Sequence, residues 1–220
     1  MDRHEPGVSG FTLLELIIAV AIIGILAAVA LPSLRQWQAN QRLKATVLDV
    51  ASLLSQARSE AVRTGNVHIL FLQTDAAGNA LLDPGGNPVP ALVLDDGAPG
   101  SANQNCQIDA GETADTIAAI AGVAWGVSNA AAPAPFDAGG GDFTTGASFA
   151  EPDGDPAVWV MFRPDGFPLA FDAACNAGGL GSGAGGVYVT NGAADYAAVL
   201  SPLGSARIHG WDRSRNQWSN

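Results

Sequence analysis

The sequence predicts an α+β chain, with one long N-terminal helix followed by an antiparallel β domain. Three observations carry that expectation. Residues 11–31 are almost wholly apolar. Residues 43–61 place apolar side chains at helical spacing. After Gly65 the chain breaks into short β-branched and aromatic runs separated by Gly and Pro. The composition agrees: 27 glycines and 13 prolines punctuate a chain whose residues are 48% apolar, enough for a real core.

The helix comes first. From Phe11 to Leu31 only Thr12 and Glu15 are polar in 21 residues, long enough to cross a ~30 Å hydrocarbon core. One reading is a cleaved signal peptide, with "AVA" at 28–30 as its small-residue site. The other is a retained membrane helix. Glu15 favours retention, because an intramembrane carboxylate is costly and marks function by default. The residues before the run also lack the positive charge a signal peptide wants, with two acids against one arginine. Pro32 should bend or loosen the helix. Beyond it, Leu43, Val47, Val50, Leu54, Ala57 and Ala61 form one apolar stripe, with Arg42, Lys44, Asp49, Ser52, Arg58 and Glu60 largely off it. "RTGN" at 63–66 supplies a stop, with Gly65 as the residue after the cap. A single helix from Phe11 to Thr64 would be roughly 80 Å long.

"G|FTLLE", an apolar run and then a proline resemble the class III leader of type IV pilins and type II secretion pseudopilins. The resemblance implies cleavage after Gly10 by a prepilin peptidase and methylation of the new N-terminal Phe11. It makes Glu15 and Pro32 the family's assembly glutamate and helix proline. It implies four regions: a leader at 1–10, a transmembrane helix half at 11–32, an amphipathic half at 33–64 and a periplasmic β domain at 65–220. The implied partners are other pilins or pseudopilins, the peptidase and an inner-membrane assembly platform. The location is a single pass of the bacterial inner membrane, with the C-terminal domain in the periplasm. Charge alone does not predict that orientation, since more bases follow the apolar run than precede it.

The β domain reads as a series of short strands: "VHILFLQT" at 67–74, "ALLD", "PALVLDD", a strand within "TIAAIAGVAWGV", "AVWVMFRPDGFP", "GGVYVTN" and a hairpin in "YAAVLSPLGSARIHGW". Loops at 129–156 and 173–186 read as surface excursions, and no internal repeat is visible. The helical stripe should bury against the sheet. "SQARSEAVRTGNVHILFL", "DAGE" at 109–112, "FRPDGFP" and "LSPLGSARI" resemble the GspH/FimT branch of the pilin-like proteins. That resemblance implies a minor structural subunit, not an enzyme.

Charge is distributed unevenly. The net charge is -11, and between Val67 and Ala206 there are fifteen acids and one base, Arg163. Such a body disfavours nucleic acid on the main surface. The exception is the C-terminus, where Arg207, Arg213 and Arg215 interleave with Trp211 and Trp218 near His209. This pattern can grip a nucleic-acid strand by charge and stacking; the alternative is a solvated tail with Trp packed on the sheet edge. Some FimT-like minor pilins are associated with DNA capture, so the resemblance offers a DNA- or ligand-binding subunit as the alternative function.

Catalytic constellations are absent from the sequence: three histidines, no HExxH, no GxSxG. "GSGAGG" at 181–186 satisfies GxGxxG but precedes a strand, so it reads as a flexible loop. Asp153 and Asp155 in "EPDGDP" are weak oxygen ligands for Ca²⁺, without EF-hand spacing. Cys106 and Cys175 pair if the domain lies outside the cytoplasm, or else remain as two buried thiols. No cofactor is expected.

Overall fold

The computed structural model describes residues 12–219, apart from 84, 102, 110, 111, 113 and 120 and the side chain at 29. Gly10 and Phe11, the expected cleavage and methylation positions, lie outside the described residues. So does part of "DAGE".

One helix, α1 (Leu13–Thr64), opens the fold. The chain divides into two compact units, residues 1–39 and 40–220. In the first, the helix is apolar all round from Leu16 to Leu31, and Leu13, Leu16, Ile22, Ile25 and Trp37 are all exposed. It continues through Pro32 without a break in its assignment. Ser33 Oγ donates to the Ala30 carbonyl there (2.9 Å).

In the second unit the six residues of the expected stripe are buried, none more than 1% exposed, and Leu53 joins them. The helix ends as the sequence predicts. Gly65 adopts φ +76° and donates its amide to the Ala61 carbonyl (3.0 Å). Glycine meets no steric cost in that left-handed conformation.

Two antiparallel sheets follow. The first has the order β3 (Ala114–Ile117), β2 (Ala91–Asp95), β1 (His68–Leu72), β5 (Trp159–Phe162), β6 (Pro168–Leu169). Central β1 is buried along its whole length, which is why "HILFL" is an unbroken apolar run rather than an alternating one. Leu70 sits opposite Val93 on one side and Val160 on the other. The second sheet has the order β10 (Gln217–Trp218), β9 (Ala206–Asp212), β8 (Asp195–Leu200), β7 (Gly185–Thr190), β4 (Ala124–Trp125).

Period-two alternation in the second sheet fills two cores. Val187, Val189, Ala198 and Leu200 join the main core shared by the helix stripe and the first sheet. Tyr188, Ala197 and Val199 point the other way, into a smaller outer core with Ala134 and Trp218.

That outer core corrects the expectation for residues 129–156. Much of this segment packs on the sheet: Ala134, Ala147, Ser148 and Phe149 are buried. The Ala134 amide donates to the Tyr188 hydroxyl (2.9 Å), and that hydroxyl donates to Asp137. Burial, followed by the neighbouring Asp137 carboxylate, pushes the Tyr188 hydroxyl well above its ordinary range. "GSGAGG" is likewise a packed turn rather than a flexible loop. A Cβ on Gly183 would fall 2.5 Å from the Leu169 nitrogen, so its glycine serves close backbone approach.

"ALLD" forms no strand. Residues 74–88 instead form turns closed by the isolated bridges Thr74–Ala80 and Leu82–Pro88. Prolines at 88 and 90 lack the N–H donors a ladder needs. A local pattern recurs here that the sequence reading did not detect. Asp75, Asp83 and Asp172 each accept amides two and four residues on, at 2.8–2.9 Å, and an Asn closes the turn at 79, 87 and 176.

Candidate functional site

Three places bear on function: the start of α1, the cysteine pair and the C-terminal hairpin.

At the start of α1, Thr12 and Glu15 form a reciprocal cap. The Thr12 amide and hydroxyl both donate to Glu15 Oε2 (3.0 Å each), and the Glu15 amide donates to Thr12 Oγ1 (3.2 Å). This is the T-x-x-E capping box, which satisfies helix-end amides that would otherwise lack partners. The signal is present in "TLLE", a threonine three residues before a glutamate at the start of the apolar run. A carboxylate at this position thus has local work to do inside an apolar helix. The described helix is long and apolar enough to cross a membrane.

Cys106 and Cys175 form a disulfide, with Cα atoms 5.4 Å apart and the two residues 69 positions apart in sequence. It joins the loop after β2 to the turn after β6. Asp96, fully buried, accepts the Cys106 amide on both oxygens (3.1 Å each) and the Asn105 amide (3.3 Å). Burial pushes its carboxyl up to about 6, against the pull of those two amides.

The C-terminal residues are not a loose tail. Residues 213–216 turn back, and β10 pairs with β9, Trp218 opposite Trp211. Trp218 is buried, meets Tyr188 and Trp211 edge-on at 5.8 and 5.3 Å, and donates Nε1–H to the Ala132 carbonyl (2.8 Å). This removes Trp218 as a stacking platform and leaves Trp211 half-buried. Of the bases, Arg215 lies 3.6 Å from Asp212, and Arg213 donates to Asn129 Oδ1. Arg207 sits over the ring of Phe136, 5.2 Å from its centroid, and Phe136 is 66% exposed. Asp195, behind this region, accepts the amides of Ser128, Asn129 and Ala130 and the Thr190 hydroxyl. Burial opposes its ionisation most strongly, but these four donors together outweigh it and hold its carboxyl below the usual range.

The remaining sequence-level sites do not assemble. Asp153 and Asp155 lie in an exposed turn, where Asp153 accepts the Asp155 amide (3.3 Å). No third ligand gathers with them among the described residues. His68 lies on β1, 4.0 Å from Asp95, and His209 lies on β9 with Nδ1 on the Ser219 carbonyl (2.6 Å). The two histidines are on different sheets, and both cysteines are spent in the disulfide.

Residues 7–31 match the family model described as the prokaryotic N-terminal methylation motif. Over part of its length the chain is similar to type IV pilins. It is 41% identical over 59 residues to the type IV major pilin protein PilA of Myxococcus xanthus, covering 27% of this chain and 27% of that protein. A fimbrial protein of Pseudomonas aeruginosa is 48% identical over 50 residues, 23% of this chain and 32% of that one. The type IV major pilin protein PilE1 of Neisseria gonorrhoeae is 51% identical over 39 residues, 18% of this chain and 24% of that one. The pilin-like chain thus spans about a quarter to a third of the length of these relatives. They are named as pilins or fimbrial proteins, and none as an enzyme. No solved structure matches the chain.

Proposed function

We propose that this chain is a minor structural subunit of the GspH/FimT type, a pseudopilin or minor pilin. It would be built into a type II secretion pseudopilus or a type IV pilus. The observation that carries the reading is the exposed, wholly apolar start of α1, opened by a methylation motif and a capped glutamate. Such a surface needs either lipid or other helices around it. A prepilin peptidase cuts after Gly10 and methylates Phe11. The helix then holds the subunit in the inner membrane, with residues 65–220 in the periplasm, until an assembly platform transfers it to the filament.

Glu15 has a specific part in that transfer. The bonds from Thr12 both fall on Oε2. The other oxygen can accept the Phe11 amine of the same or a neighbouring subunit, and an unpaired charge in lipid is expensive. Pro32 has no N–H to donate to the preceding turn, and that lost bond lets the helix adjust within a bundle. Glu15→Ala should leave membrane insertion intact and reduce filament incorporation at least about tenfold, scored by immunoblot of sheared filaments; ordinary incorporation would refute this role for Glu15. Deleting the gene and scoring secreted proteins and surface pili in parallel separates the two machines.

A second reading rests on the exposed Phe136 capped by Arg207, with Arg213 and Arg215 nearby: a surface for single-stranded DNA. Its test is a binding titration across salt concentrations, since phosphate contacts must weaken as salt rises. Undetectable or salt-independent binding removes it.

A further inference from the structure

The disulfide and Asp96 place three metal-ligating groups together. One carboxylate oxygen of Asp96 and the two sulfurs of Cys106 and Cys175 all lie within 4.8 Å of one another. We propose that the reduced form of this pair, together with Asp96, is a zinc-binding site, so that reduction converts a covalent bridge into a metal clip.

Opening the pair takes a dithiol reductant. It passes two electrons and two protons to the disulfide, the S–S bond breaks to give two thiols, and the reductant closes into its own disulfide. Zinc then displaces both thiol protons and binds two thiolates and the Asp96 carboxylate. Tetrahedral Zn²⁺ with Zn–S bonds of about 2.3 Å needs its sulfurs about 3.8 Å apart. Breaking the covalent bond lets the two sulfurs move apart to that spacing, which is still below the 4.8 Å that bounds the cluster. Two thiolates with one carboxylate suit zinc, not calcium or magnesium, which want oxygen throughout.

Both cysteines are held by bonds that do not depend on the bridge. The Cys106 backbone stays tied to Asp96, whose two oxygens accept its amide at 3.1 Å. Cys175 is the fourth residue of the Asp172–Asn176 turn, in which the Asp172 carboxylate accepts the amides of Ala174 (2.9 Å) and Asn176 (2.8 Å), and the Asp172 carbonyl accepts that of Cys175 (2.8 Å). Reduction therefore leaves three ligands in place rather than two loose thiols. Asp96 and Cys106 are buried, while Cys175 is half-buried and gives a metal its way in. Asp109 and Glu112 stand close enough to Asp96 to add negative charge around the site.

The test uses the full chain in detergent with Co²⁺ as the spectroscopic probe. Reduced protein should bind one Co²⁺ with a thiolate-to-cobalt band and tetrahedral visible bands, and Zn²⁺ should displace it. The oxidised protein should show neither band. Zn²⁺ should also slow alkylation of both thiols at least about tenfold, and Asp96→Asn should weaken binding roughly tenfold or more. If Asp96→Asn fails to fold, the comparison of reduced native chain with urea-unfolded reduced chain decides. Equal affinity in urea, no thiolate band in the native reduced chain, or a folded Asp96→Asn variant that binds unchanged would each overturn the proposal.

Discussion

Arg58 donates Nε–H to the Gly166 carbonyl (3.1 Å) and Nη1–H to the Gly204 carbonyl (3.2 Å). These are the turn glycines of "PDG" and "SPLG", one from each sheet's hairpins, so a single guanidinium ties both to the helix. Charge-assisted bonds to carbonyls are the stronger kind. Arg58→Ala should cost roughly 2 kcal/mol in urea unfolding of the chain in detergent, with Arg58→Lys recovering only part of it. Asp195 offers a second test at this scale. Its carboxyl is held below its unfolded value, so it contributes stability above about pH 4, and that contribution is lost as pH falls through the folded value. Asp195→Asn should flatten the acid limb of the stability profile below about pH 4 and lower stability at pH 7. In the sequence Arg58 lies largely off the apolar stripe, and periodicity reports which side of a helix a residue occupies and not what approaches from beyond. The acids read mainly as surface charge. Asp75, Asp83 and Asp172 instead close turns, which is a use of charge that only backbone geometry reveals.

At the scale of elements, length decided what could be read. The stripe from Leu43 to Ala61 runs over five turns of helix, and every member is buried where spacing placed it. Strands of four or more residues in β1, β2, β5, β7, β8 and β9 also announced themselves by β-branched and aromatic runs. β4, β6 and β10 hold two residues each, too few to show any period. The outer core was illegible for a related reason. Its ligature is Tyr188, Ala197 and Val199 on one side and the Gly/Ala/Pro-rich segment around Ala134 on the other, and that composition resembles solvent-exposed loop. Trp218→Ala should remove this core's largest side chain at a cost of about 3 kcal/mol. Hydrogen exchange should then accelerate in residues 127–143 and leave β1 and β2 unchanged.

Across the whole molecule, the N-terminal segment was the most legible part, and residues 7–31 within it carry the match to the methylation motif. An apolar run with one acid and one proline is constrained by lipid and by helix packing together, so few sequences satisfy it. The β domain is constrained only by its own core, which many sequences fill. Its pairings across 69 residues, such as Cys106 with Cys175, follow from tertiary geometry that no local pattern encodes. Replacing both cysteines with serine should cost roughly 3–4 kcal/mol in denaturant unfolding under oxidising conditions, and reductant should bring the wild-type chain down to the same value when metal is removed.

Trp218 also sets an order of events in time. Chains emerge from their N-terminus, and the outer core is not sealed until residue 218 has arrived and paired with β9. The helix can settle in a bilayer long before that. A chain stalled before residues 211–218 have been made would therefore be anchored yet carry an open, apolar sheet face, the kind of surface that quality-control proteases engage.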